Sequence, residues 1–163
     1  MNASDIKLSV TQQTNLGDGY LQFKLNESST AVFLVNLIQE VVVLSNDLIT
    51  QVPNISELFL GLMNWHNRAI WVVDLPRILG LESYYQLRQC NIIVIRHKAE
   101  AIGLMVPEVK GTVRFNSDNI QSASERVASN VLPYLEGCLW HGNELNLVLD
   151  IEAILESLFL QEK

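Results

Sequence analysis

Punctuation is the feature that most restricts this chain. About ten short apolar or alternating runs recur at roughly 8–12-residue spacing, separated by clusters of Gly, Pro, Asn, Asp and Ser. Strands this short and this numerous need their edges removed or covered, which points to closed or sandwiched β structure. Long βαβ alternation is missing, and no internal repeat is visible. Residues 82–90 are polar and separate two sets of about five strands each. The chain therefore reads as mainly β. Two five-stranded β-barrel subdomains are predicted, about 20–82 and 90–145, with short helices, a C-terminal helix over 150–162 and a polar arm over 1–19.

The runs differ in kind. Leu21, Phe23 and Leu25 alternate with Tyr20, Gln22 and Lys24, the pattern of a half-buried strand. Residues 30–37, 41–44 and 48–52 read as three more strands. The stretch 52–81 holds an apolar run at 58–60 closed by Gly61, a polar tip at 64–68, and the β-branched run Ile70, Trp71, Val72, Val73. Asp74 then sits where an N-cap belongs, Pro76 falls in the first turn, and Gly80 is placed to stop the helix. Further on, 91–96 pairs with 101–106 across a turn at 97–100. Pro107 interrupts the pairing because it has no N–H to donate. Residues 109–115, 132–140 and 145–149 complete the strands. Asp150 caps a helix with Ile151, Ile154, Leu155 and Leu158 on one side and Glu152 and Glu156 on the other.

Charge removes whole classes of partner. A net charge of −7 and a pI near 4.9 leave no excess of Lys and Arg to displace phosphate counterions, which argues against nucleic acid and anionic membrane surfaces. No apolar run approaches the length of a spanning helix, and the N-terminus has neither a basic n-region nor an apolar h-region. A cytoplasmic location is therefore expected. Cys90 and Cys138 then read as buried thiols.

Chemistry is hard to find. There is no phosphate-binding Gly-rich loop, GxSxG elbow or HExxH pair. His66, His97 and His141 occupy separate turns, with no spacing that gathers them around a metal. His66 and Asp74 read as a turn residue and a cap rather than members of a triad. No enzyme, metal or cofactor is expected. The tryptophans say more. Trp71 belongs to an apolar strand and to the core. Trp65, beside His66 and Arg68, reads either as a binding anchor or as a lid over a barrel mouth. A small-molecule-binding β-barrel with Trp65 and Trp71 lining its pocket is the competing function.

Several short motifs, in order, resemble the CheW family of chemotaxis adaptor proteins across 20–158. They are Ile38-Gln39-Glu40-Val41, Gly61-x-x-Asn64, residues 70–75 ending in Val-Asp-Leu, 103–109, Leu135-Glu136-Gly137 and Leu147-Val148-Leu149-Asp150. The resemblance implies two five-stranded barrels and a non-enzymatic scaffold. Such a scaffold couples chemoreceptor-type sensors to a CheA-type histidine kinase, in taxis, phototaxis or pilus motility. By position it implies a receptor-binding groove at Ile38, Glu40, Trp65, His66, Arg68, Ile92, Ile102 and Leu104. It implies a kinase-binding face at Ile49, Val52, Leu58, Gly61 and Leu62. One departure is local. The family usually reads Asn-Leu-Arg-Gly where this chain has Asn64-Trp65-His66-Asn67. The family's Arg lies near the carboxylate that corresponds to Glu40, so Arg68 is predicted to take over as its cation.

Overall fold

A computed structural model describes residues 17–83, 88–123 and 127–161. The strands are β1 (Asp18–Lys24), β2 (Thr30–Leu34), β3 (Ile38–Ser45), β4 (Phe59–Trp65), β5 (Arg68–Asp74), β6 (Gln89–His97), β7 (Glu100–Val106), β8 (Glu108–Phe115), β9 (Leu135–His141) and β10 (Glu144–Leu149). The helices are α1 (Leu75–Ile78) and α2 (Ile151–Gln161). Residues 1–16 of the expected arm and 84–87 of the polar crossover lie outside the described residues. Asp18 and Gly19, expected in the arm, already belong to β1.

The strands form two five-stranded sheets, ordered β8-β1-β2-β10-β9 and β3-β6-β7-β5-β4. The second is contiguous in sequence. The first is split, two strands coming from the start of the chain and three from its end. The expected division at 82–90 is therefore not where strand pairing divides the chain. Nor are the sheets continuous barrels. Each is drawn round by one isolated bridge, Thr50 to Leu62 of β4 in the contiguous sheet and Gln121 to Cys138 of β9 in the split one. The fourth expected strand, 48–52, reduces to that Thr50 bridge, preceded by a 3₁₀ turn at Asn46–Leu48.

The two sheets are copies of one plan. In each, one parallel pairing lies among antiparallel ones, β5 with β7 and β10 with β2. Matching those registers places 31–50 on 102–121 and 61–75 on 137–151 without a gap in either segment. Gly61 falls on Gly137, Ile49 on Ile120, Val72 on Val148 and Asp74 on Asp150. The bulges repeat too. Gln39 is the extra residue in β3 and Lys110 in β8, while Leu60 and Glu136 are the extra residues in β4 and β9. A repeat is thus present where none was visible: β1–β5 recur in order as β6–β10, but few residues recur with them.

Both parallel-paired strands run into a helix for the same local reason. The carboxylate of Asp74 accepts the Arg77 N–H at 3.4 Å, and that of Asp150 accepts the Ala153 N–H at 3.2 Å. Each satisfies a donor that the helix leaves orphaned. Gly80, at φ +80°, ends α1 as expected.

Packing follows the strand alternation in three bodies. Met63, Trp65, Val72, Ile92 and Met105 fill the inside of the contiguous sheet. Tyr20, Val32, Phe115, Leu139 and Val148 fill the split one. The opposite faces of both sheets meet in the largest core, where Phe23, Phe33, Ile93, Ile95 and Leu104 pack with Ile154, Leu155 and Leu158 of α2. Cys90 and Cys138 are buried thiols.

Candidate functional site

The tip that stood out in the sequence is the turn of the β4–β5 hairpin. Trp65 pairs with Arg68, so the turn is the two residues His66 and Asn67, at φ 50° and 63°. Such turns match strand twist and need left-handed residues, which Asn tolerates well. β4 runs straight through Gly61, which does not close the strand but accompanies its bulge.

Glu40 reaches this tip from the edge strand β3. One oxygen, Oε1, accepts two bonds: from Trp65 Nε1 at 3.0 Å and from His66 Nε2 at 3.0 Å. An ionised carboxylate only accepts, so His66 carries its proton on Nε2. The rings of Trp65 and His66 stack, with centroids 4.2 Å apart. The bulge at Gln39 precedes Glu40 directly, and bulges re-aim the side chains beside them. The indole body of Trp65 is buried in the contiguous sheet while its N–H is tied to the surface carboxylate. Trp65 is therefore closer to the expected lid than to a free anchor.

Arg68 does not take the expected role. The side chains bonded to Glu40 are Trp65 and His66, and no ion pair joins it to Arg68. The prediction assumed that His66 and Arg68 share a strand face. They do not share a strand, because the chain reverses at 66–67. Arg68 instead borders a shallow groove with Leu48, Leu62, Asn64 and Asn67.

The indole N–H bond, and then the His66 bond, hold the Glu40 carboxyl below its ordinary value of 4.5. A carboxyl lowered in the folded state contributes stability above its unfolded value and loses it as pH falls through the lowered one. The midpoint at which protonation of Glu40 weakens the Trp65–Glu40 bond is therefore expected below pH 4.5. Hydrogen exchange of the Trp65 indole N–H, tracked against pH, checks this; a midpoint above pH 4.5 contradicts it.

The other expected site residues divide by burial. Ile38 and Arg68 reach the surface near Glu40, but Ile92 and Leu104 have no exposed surface and Ile102 almost none. These three are core, because β6 and β7 are inner strands covered on both faces. On the other expected face, Ile49 and Gly61 are buried, and Val52, Leu58 and Leu62 are half-buried. Leu48, not singled out in the sequence, is 64% exposed beside them. Its signal was available: an apolar residue directly after Asn46-Asp47, at the end of a turn. Trp71 packs its edge on Phe59, ring centroids 5.3 Å apart. Strand alternation puts it on the opposite sheet face from Trp65, so the two indoles do not line one pocket. Among the described residues, no group of His, Cys, Asp and Glu is arranged to hold a metal, and no helix is long and apolar enough to cross a membrane.

Two curled five-stranded sheets with apolar insides, joined back to back and each handing its parallel-paired strand to a capped helix, define a mainly β double-sheet module. Residues 19–159 match the model of the CheW-like domain family, and the chain belongs to that family. It is 30% identical over 142 residues to a chemotaxis protein CheW of Thermotoga maritima, covering 87% of this chain and 90% of that one. It is 26% identical over 107 residues to a chemotaxis protein CheW of Bacillus subtilis, covering 66% and 69%. The crystal structure of the scaffolding protein TtCheW from Thermoanaerobacter tengcongensis has the same fold. Its TM-score is 0.69 at 21% identity, over 82% of this chain and 88% of that one.

Proposed function

We propose that this chain is a non-catalytic scaffold of the cytoplasm. It couples chemoreceptor-type sensors to a CheA-type histidine kinase in taxis or in pilus-based motility and phototaxis. The observation that carries the reading is the family match across 19–159, in a chain that keeps the surface carboxylate Glu40 at a strand-edge tip. In this reading the receptor meets Ile38, Glu40, His66 and Arg68, with Trp65 holding Glu40 in place. Ile92, Ile102 and Leu104 support that surface from inside. The kinase meets Val52, Leu58 and Leu62, with Ile49 and Gly61 shaping the strand seam beneath them. A small-molecule-binding module is disfavoured by the side chains that fill both sheets.

Binding to the histidine kinase encoded nearby tests the reading. Wild type is expected to be retained on the immobilised kinase, and Leu62→Glu to lose binding at least tenfold. Glu40→Lys is expected to spare the kinase and weaken the receptor. Failure of folded wild type to bind any such kinase removes the scaffold reading. Undiminished binding by folded Leu62→Glu moves the kinase face elsewhere.

A further inference from the structure

The two sheets differ most where their shared plan puts three residues of the split sheet against three of the contiguous one. Register places Gln22 on Val94, Thr30 on Ala101 and Asn146 on Ile70. In the contiguous sheet these positions are apolar. In the split sheet they are polar, and Gln22, Thr30 and Asn146 are all buried, Asn146 completely. They form one network. Gln22 Nε2 donates to Asn146 Oδ1 at 2.6 Å and to Glu144 Oε1 at 3.4 Å. Thr30 Oγ1 donates to Glu144 Oε2 at 3.1 Å. Lys110 Nζ closes the outer end on Glu144 Oε1 at 3.4 Å. Among the described residues no buried side-chain polar atom lacks a partner.

A duplicated plan carries a hazard. The β1–β2 hairpin holds the same place in the split sheet that the β6–β7 hairpin holds in the contiguous one. A single connection, the 3₁₀ turn at Val35–Leu37, ties the β1–β2 hairpin to β3. The β6–β7 place of a second copy is therefore a site it can compete for, a mispairing between copies that differs from the exchange of identical hairpins, which would keep every side-chain partner.

We propose that the Gln22–Thr30–Asn146–Glu144 network is a pairing code that confines each hairpin to its own sheet. The rejection runs both ways. A β6–β7 hairpin in the split sheet sets Val94 against Asn146 and Ala101 against Glu144, leaving a fully buried amide without its partner. A β1–β2 hairpin in the contiguous sheet sets Gln22 against Ile70 and Arg68, whose side chains accept no hydrogen bond. A buried polar group stripped of its partner loses the water it gave up on folding and gains nothing in return. The correct pairing satisfies every member, so the network discriminates more than it stabilises.

The test gives the split sheet its counterpart's residues: Gln22→Val, Thr30→Ala and Asn146→Ile together. Wild type, the triple variant and Gln22→Val alone are refolded from urea at high protein concentration. Size-exclusion chromatography with light scattering then measures dimer, and thermal unfolding measures Tm. The code predicts that Gln22→Val alone lowers Tm by about 3–10 °C, because it strips the buried Asn146 Oδ1 of its donor while Nδ2 keeps the Glu144 carbonyl. The triple variant keeps Tm within about 3 °C of wild type, because both buried amides are removed together and the part-exposed Glu144 carboxylate keeps Lys110 and turns its freed oxygen to water. Yet it refolds to at least five times the wild-type fraction of dimer, formed by hairpins seated in the wrong sheet of a second copy. Refolding of the triple variant to monomer at the wild-type fraction overturns the proposal. Where the triple variant does not fold, Gln22→Met with Asn146→Leu preserves volume, and the same rise or its absence decides.

Discussion

Gly61→Ala is expected to lower stability by about 3 kcal/mol or more, the sum of a strained backbone and a forced clash. The reason is the seam of the contiguous sheet. Thr50 N–H donates to Leu62 O, and Leu62 N–H to Thr50 O, both at 2.8 Å. To let that strand approach, Gly61 takes φ +146°, and a Cβ there would lie 2.2 Å from Thr50 O. The obstacle is backbone, which cannot rotate away as a side-chain tip can. The same seam recurs at Gly137, where a Cβ would lie 2.5 Å from Gln121 O, without an unusual φ. Gly137→Ala is therefore expected to cost less, about 1–3 kcal/mol. Urea unfolding of both variants measures the pair. If Gly61→Ala falls within about 0.5 kcal/mol of wild type, the seam does not close the sheet as described.

Trp65→Ala is expected to cost about 3–5 kcal/mol, the range for emptying a large aromatic site in a packed core. Its ring is 9% exposed and packs inside the contiguous sheet with Met63, Ile70 and Ile92. Trp65→Phe keeps part of that packing but loses the N–H bonded to Glu40 and some ring volume, so a smaller cost of about 1–3 kcal/mol is expected. The pair separates the two roles the sequence left open. A lid predicts a large loss of stability for Ala and a smaller one for Phe, with partner binding tracking the folded fraction. A free anchor predicts near-normal stability and lost binding in Trp65→Ala. Thermal unfolding beside kinase retention distinguishes them.

Much of the fold was legible because its signals are local. The Asp74 and Asp150 caps and Gly80 each act within a few residues, through an orphaned N–H or a left-handed turn, and the Leu21-Phe23-Leu25 alternation gave one face of β1. The other face was read as outward, but Tyr20 and Gln22 are buried because the split sheet curls round them. The Glu40 site was half legible. Trp65, His66 and Glu40 were singled out, but the cation was misassigned. Assigning it required knowing that φ is positive at both His66 and Asn67, a turn that Asn allows and histidine does not announce. Ile92 and Leu104 were placed in a groove by the resemblance alone, and position in a family does not say which strand residues keep exposed surface; here both are fully buried on inner strands.

From residue order alone came the number and kind of elements, their caps and turns, and the family. Those rest on interactions closed within a turn or a strand pair. Which strands share a sheet was decided only in three dimensions. The first two strands join the last three because the parallel β2–β10 pairing bridges the whole chain. Nothing local in either strand marks such a partner. The polar tip was visible as residues, but its chemistry, one carboxylate oxygen held by an indole and an imidazole, exists only because β3 passes beside the β4–β5 turn.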